Sequence, residues 1–321
     1  MWLSEFNNVK VFYGKNSLSS LSDLGVREVT VVVTKSLLNS QLLKKIENYI
    51  RVKKIIKGPA QHVPEDELSI LTKELFNENA VISLGGGSVI DAVKLAFNGF
   101  HIAIPTTLSG AEYTYNASYR NKDGFKMSRR VKNPDVIILD PEVLMYTPKY
   151  LLATTAFKAL DHAVEAFYSN KASPFTDTLS NQGINMMLTC IENRLEDLEF
   201  CQIGAWISSL ARKFAGMGLS HSFGHVYGTR FDIPHGVTSC ISLAEAIRFN
   251  RSEKLLSIYP HLDKKIEELL NMMGIDEKLS KYAKLEHALE LLPKFVEAVN
   301  LSANPKKITT EEAKLFIKNI Y

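Results

Sequence analysis

The sequence predicts an α/β domain with a mostly parallel sheet over residues 1–150 and an all-helical domain over residues 151–321. Three observations carry this. Short β-branched apolar runs alternate with helix-period segments in the first half, the pattern of a doubly wound sheet. Strand signals cease after Tyr150, and only helix-period segments follow. A length of 321 residues exceeds what one small core fills and suits two domains of ordinary size.

Val29-Thr30-Val31-Val32-Val33 reads as a strand buried on both faces. Residues 36–49 follow with Leu38, Leu42, Ile46 and Tyr49 spaced for one helical face. Residues 53–56 form a short strand ending at Gly58-Pro59, and Pro64-Glu65-Asp66-Glu67 opens a helix with acids at its positive end. Ala80-Val81-Ile82-Ser83-Leu84 is a second buried strand, followed by Gly85-Gly86-Gly87-Ser88 and a helix over 89–97. Strands at 101–104 and 136–139 complete the sheet. Between them, Asp123-Gly124 predicts a hairpin turn within residues 119–126. In the second half, helices are expected over 153–169, 175–193, 200–216, 254–273 and 285–298.

Apolar residues make up 45% and charged residues 23%, the balance of a globular protein, and a net charge of +3 does not call for nucleic acid. Cys190, Cys201 and Cys240 show no paired spacing and no metal knuckle. With no basic region in Met1-Trp2-Leu3-Ser4-Glu5-Phe6, they suggest buried thiols in a cytoplasmic protein. No apolar run reaches membrane-spanning length.

Two groups of residues carry chemistry. A strand running through Gly85, Gly86, Gly87 and Ser88 into a helix suits a phosphate, because glycines admit close approach and free N–H groups meet the charge. Asp91 and Lys94 follow on that helix, and Thr106 and Thr107 offer hydroxyls at the next strand end. The second group is histidine-rich. His221 and His225 share one helical face, Pro234-His235 could fold back onto it, and Lys158 and His162 are likewise four apart. Arg129, Arg130 and Arg230 are cations able to hold a carboxylate.

The segment Gly85-Gly86-Gly87-Ser88-Val89-Ile90-Asp91-Ala92-Val93-Lys94 resembles the GGGSxxDxxK motif of the iron-containing alcohol dehydrogenase and dehydroquinate synthase-like family. The stretch from Ala156 to Glu165 and the segments Gly218 to His225 and Ile233 to Gly236 resemble its metal-binding half. The short loop Pro105 to Thr114 is similar to that of maleylacetate reductases. The resemblance covers roughly residues 10 to 250, with a poorer match beyond. It implies that Gly85, Gly86, Gly87, Ser88, Asp91, Lys94, Thr106 and Thr107 bind NAD or NADP. Thr34 and Lys35 stand where strictly NAD-using members carry an acid, which would admit NADP.

The resemblance also places the metal ligands, for iron or zinc, at Lys158, His162, His221 and His235, with His225 as general acid. A lysine thus stands at the acidic ligand, and an ammonium has no lone pair. Asp161 lies about 100° around the helix from His162 and is a poor replacement. Lys158 with neutral imidazoles carries the same single positive charge as a divalent ion with one carboxylate, so it could polarise a carbonyl oxygen itself. The reading is an NAD(P)H-dependent reductase of a maleylacetate-like oxo-acid, aldehyde or ketone, working in a cleft between the domains. It implies a homodimer with no nucleic-acid or membrane partner. Alternatives are a metal-dependent alcohol or polyol dehydrogenase, a dehydroquinate synthase-like lyase, and a non-catalytic nucleotide-binding homologue.

Overall fold

The structure, a computed structural model, describes residues 9–321; the leader reading of Met1 to Phe6 falls outside them. Two compact units divide after Leu152. The first holds eight strands among the described residues: β1 Lys10–Tyr13, β2 Glu28–Val33, β3 Arg51–Lys57, β4 Ala80–Gly85, β5 Phe100–Pro105, β6 Asn116–Arg120, β7 Lys126–Arg130 and β8 Val136–Leu139. Six form a parallel sheet in the order β1-β8-β5-β4-β2-β3. β6 and β7 form the expected antiparallel hairpin.

Alternate residues of the central strands enter different cores. Val31, Val33, Ile82 and Leu84 pack in one cluster, whereas Val32 and Val81 pack with Leu71, Val89 and Val93 in another. A strand buried on both faces has no polar alternation to show, which is why these read as continuous apolar runs. The helices are α1 Gln41–Glu47, α2 Glu65–Leu75, α3 Gly87–Ala96 and the short α4 Pro141–Leu144. Strand β1 was not anticipated, because Lys10-Val11-Phe12-Tyr13 is too short to carry a period. The helix expected over 36–49 is instead a 3-10 turn at Lys35–Leu37 followed by α1, which Ser40 caps by accepting from the Leu43 amide at 3.3 Å.

His101 on β5 is buried beside Ser83, with Nε2 and Oγ 2.8 Å apart. Burial, helped by Lys94 and Lys132, holds its pKa down at about 3. The unfolded chain binds this proton near 6.5, so stability falls as pH drops below that value and continues to fall towards 3. At about 1.4 kcal/mol per pH unit, acidification from about 6.5 to about 4 is expected to cost about 3 kcal/mol at this residue. Urea midpoints at both pH values should show a smaller acid loss in His101→Gln than in the parent. Equal losses would show that His101 does not carry this sensitivity.

The second unit is helical. It contains most of α5 (Lys149–Tyr168), then α6 Pro174–Glu192, α7 Leu198–Ala215, α8 Leu219–Phe223, α9 His235–Asn250, α10 Glu253–Ile258, α11 Leu262–Met272, α12 Leu285–Glu290, α13 Leu292–Leu301 and α14 Thr310–Asn319. The helix expected over 254–273 breaks between α10 and α11, where His261 takes a left-handed φ of 60°. That expected over 285–298 breaks at Leu291, with Pro293 in the first turn of α13. Phe295 and Phe316 from the last helices pack with Phe223, Tyr227 and Val237. The C-terminal segment is therefore part of the core beneath α8 and α9.

Cys190 and Cys201 form a disulfide, correcting the expectation of buried thiols; Cys240 is free and buried. The two cysteines lie in the last turn of α6 and the first turn of α7, brought opposite each other by the hairpin. An 11-residue separation does not reveal that in sequence. Cysteine usage thus gives no argument for a reducing compartment. No helix among the described residues is long and apolar enough to cross a membrane.

Candidate active site

In the α/β unit, β4 delivers Gly85 to the start of α3, and no side chain caps that helix. None of Gly85, Gly86 or Gly87 has a positive φ; these glycines serve close approach instead. A Cβ on Gly85 would lie 3.0 Å from Val89 and 3.3 Å from Thr34. One on Gly86 would lie 3.2 Å from Thr107, and one on Gly87 3.1 Å from Ser109 Oγ. The loop is thus lined by Thr34, Thr107 and Ser109, and the Thr107 and Ser109 hydroxyls have no protein hydrogen-bond partner. Uncapped amides at a helix N-terminus beside unspent hydroxyls fit a diphosphate. Ser109 was not singled out in sequence, where nothing marks it from other loop serines.

Two of the residues expected at the cofactor, Lys94 and Asp91, hold the neighbouring loop. The buried Lys94 ammonium donates to Ala111 O at 2.8 Å, Asn116 O at 3.0 Å and Thr114 Oγ1 at 3.2 Å. Asp91 Oδ2 accepts from the Ser118 amide at 3.1 Å. Both pin the segment between β5 and β6 to α3, and so shape the loop. Thr106 is buried, its amide donating to Gly85 O at 3.0 Å. Lys35 is exposed and Thr34 half-buried after β2. Gly85→Ala should push Val89 and Thr34 apart and weaken NAD(P)H binding about tenfold, or about 1.4 kcal/mol. Fluorescence titration checks this; unchanged affinity would remove the loop from the binding surface.

In the helical unit the predicted histidines do gather. Ring centroids lie 4.9 Å apart for His162 and His221, 5.8 Å for His221 and His235, and 6.0 Å for His221 and His225. His221 sits on α8, but His225 lies in a π-helical turn at Gly224–Gly228, not on a continuing α-helix. His162 and His221 are buried, His225 and His235 half-buried. Burial first, with the nearby cations Arg212 and Lys158, holds His162 and His221 well below the usual imidazole range, so both are neutral. Arg230 is exposed. Arg129 and Arg130 lie on β7, over the rings of Tyr119 at 5.0 Å and Tyr115 at 5.5 Å.

Lys158 does not reach outward. It is 1% exposed, and its ammonium donates to Ser239 Oγ at 3.0 Å, Asp161 Oδ2 at 3.1 Å and His221 Nδ1 at 3.3 Å. Asp161 Oδ2 also accepts from Ser239 at 2.5 Å and Ser220 at 3.0 Å. Burial lowers the Lys158 pKa, opposed by the charges of Asp161 and Glu165. Glu165 accepts from the amides of Ser220 at 2.7 Å, Gly218 at 2.9 Å and His221 at 3.3 Å, capping α8. Gly218 permits this, since a Cβ there would lie 3.0 Å from Glu165 Oε1. Burial and the Asp161 charge push Glu165 up to about 8, against the pull of those amides.

Sequence profiles of the iron-containing alcohol dehydrogenases match residues 8–141, and profiles of that family's C-terminal domain match residues 152–321. The chain belongs to this family. The match continues to Tyr321, so the poorer C-terminal resemblance expected from sequence is corrected. Among relatives, maleylacetate reductase 1 of Cupriavidus pinatubonensis is 29% identical over 77% of this chain and 74% of its own. The NADPH-dependent butanol dehydrogenase of Clostridium saccharobutylicum is 26% identical over 97% and 96%. A sulfoacetaldehyde reductase from Bifidobacterium kashiwanohense, solved with NAD+, superposes with a TM-score of 0.88 over 100% of this chain and 99% of its own, at 19% identity. The protein is an oxidoreductase acting on an alcohol or carbonyl group, and uses NAD(P).

Within an iron-containing alcohol dehydrogenase, a divalent ion needs lone pairs converging on one point. Asp161, Glu165 and His221 offer such a group, with ligand atoms within 4.8 Å of one another. That group is already occupied by a cation, the Lys158 ammonium, which bonds two of its members directly. The family's acidic ligand is thus replaced at position 158 by a cation that is bonded to Asp161 and His221 of this group. The charge count made from sequence is also corrected. Asp161 pairs with Lys158, so the ammonium adds no net positive unit to the imidazoles. The Lys158 ammonium, expected to polarise a carbonyl, has protein partners within hydrogen-bond distance for each of its three N–H bonds.

Proposed function

We propose that this protein reduces a small oxo compound, a maleylacetate-like oxo-acid or an aldehyde or ketone, with NADH or NADPH and without a divalent metal. The observation that carries the metal-free part is the Lys158 ammonium enclosed by Asp161, Ser239 and His221 where the family pattern has an acid. Similarity to the maleylacetate reductases supports the direction and the substrate class.

Gly85, Gly86, Gly87 and Ser88 with Thr107 and Ser109 would hold the diphosphate of NAD(P)H, which when bound would supply the hydride for the carbonyl carbon. His225, half-buried, gives its proton to the oxygen, completing an alcohol. Lys35, exposed just beyond β2, leaves room for the 2′-phosphate of NADPH and can pair with it.

The test is a screen of NADH and NADPH oxidation against oxo-acids and aldehydes, beside metal analysis of the purified protein. Reduction is expected with less than stoichiometric metal and no loss on chelation. Stoichiometric metal with chelator-sensitive turnover would replace this reading with a metal-dependent alcohol dehydrogenase. That second reading draws on His162, whose two ring nitrogens have no hydrogen-bond partner in the protein.

A further inference from the structure

The Lys158 ammonium has three N–H bonds and faces three acceptors: Ser239 Oγ at 3.0 Å, Asp161 Oδ2 at 3.1 Å and His221 Nδ1 at 3.3 Å. Ser239 donates its own O–H to Asp161 Oδ2 at 2.5 Å, so its oxygen meets Lys158 as an acceptor. Glu165 Oε2 also lies 3.3 Å from His221 Nδ1, yet that carboxylate already takes three backbone amides. The Asp161 carboxylate 3.1 Å away favours the ammonium against the opposing effect of burial, and an ammonium has no lone pair with which to accept from an imidazole.

A neutral imidazole carries one proton, and a nitrogen that accepts cannot hold it. We propose that Lys158 fixes His221 as its Nε2–H tautomer, making this buried nitrogen a hydrogen-bond donor for the carbonyl oxygen of the substrate. The inference rests on the reductase reading for its substrate, but not for the tautomer. It also closes His221 to metal at both ends, since Nδ1 is spent on Lys158 and Nε2 carries a proton. The Nε2 atom has no hydrogen-bond partner in the protein, and a buried donor of this kind is costly to leave unmet. An oxygen gaining negative charge during hydride transfer meets it best, which places the donor's effect on turnover. Lys158 is then a positioning residue, acting through His221.

Long-range proton–nitrogen spectra of the full chain with 15N-labelled histidine test this, with His221→Gln assigning the signals. The parent protein should show His221 with a protonated Nε2 and a bare Nδ1. The charge-neutral double variant Lys158→Met/Asp161→Asn should lose that signature, and its kcat should fall about 100-fold with NAD(P)H affinity kept. A His221 protonated at Nδ1 in the parent protein would overturn the proposal, as would unchanged spectra in the double variant. A parent protein that shows the Nε2–H form yet reduces no oxo compound supports the tautomer and sinks the reductase reading instead.

Discussion

Lys158→Met alone is expected to destabilise the helical unit by about 3–5 kcal/mol, because it removes one partner of a fully buried ion pair. Asp161 is 0% exposed and would keep only the Ser220 and Ser239 hydroxyls as donors. Glu165, pushed up to about 8 by burial and by Asp161, would lose its nearest compensating cation and hold its proton more firmly still. Methionine fills much of the volume of the lysine stem, so the loss reports charge more than cavity. The double change Lys158→Met/Asp161→Asn should recover most of it, since no unpaired charge remains. Thermal unfolding of the three proteins measures this. A single variant as stable as the parent would mean that Lys158 is neutral in the folded chain.

That pair was half legible in sequence. Lys158 and Asp161 are three apart on a helix, a spacing at which opposite charges meet. As a metal ligand Asp161 is poorly angled to His162, whereas its angle to Lys158 brings the two charges together. Ser239, 78 residues away from Asp161, could not be read at all, because no local period connects α5 to α9. The same distinction holds across the fold. The buried strands β2, β4, β5 and β8 announce themselves by composition, whereas β1 exists only because β8 offers it an edge. The phosphate loop was legible as a motif. Its packing was not: the glycines are required by Thr107, Ser109 and Val89, which only the folded chain brings against them. The histidines were found from spacing, and their tautomers come only from their neighbours.

Lys158→Asp turns the electrostatics of the cluster over. The new carboxylate would join that of Asp161 in a space where like charges are poorly screened, and His221 Nδ1 would lose the donor that holds it bare. Without a cation, the variant should melt well below the parent. Added zinc or iron should bind one ion per chain and restore stability; at a concentration 100 times its Kd, an ion contributes about 2.7 kcal/mol. The parent protein should gain nothing from the same ions. Calorimetric titration and melting temperatures with and without metal read both effects. A variant that binds no more metal than the parent would show that position 158 does not face the imidazoles as a ligand would. A parent that binds an ion stoichiometrically would show that its ammonium yields the space. The lysine and a metal compete for one set of lone pairs, so the residue at position 158 decides whether His221 serves with His162 and His235 as a metal ligand or alone as a hydrogen-bond donor.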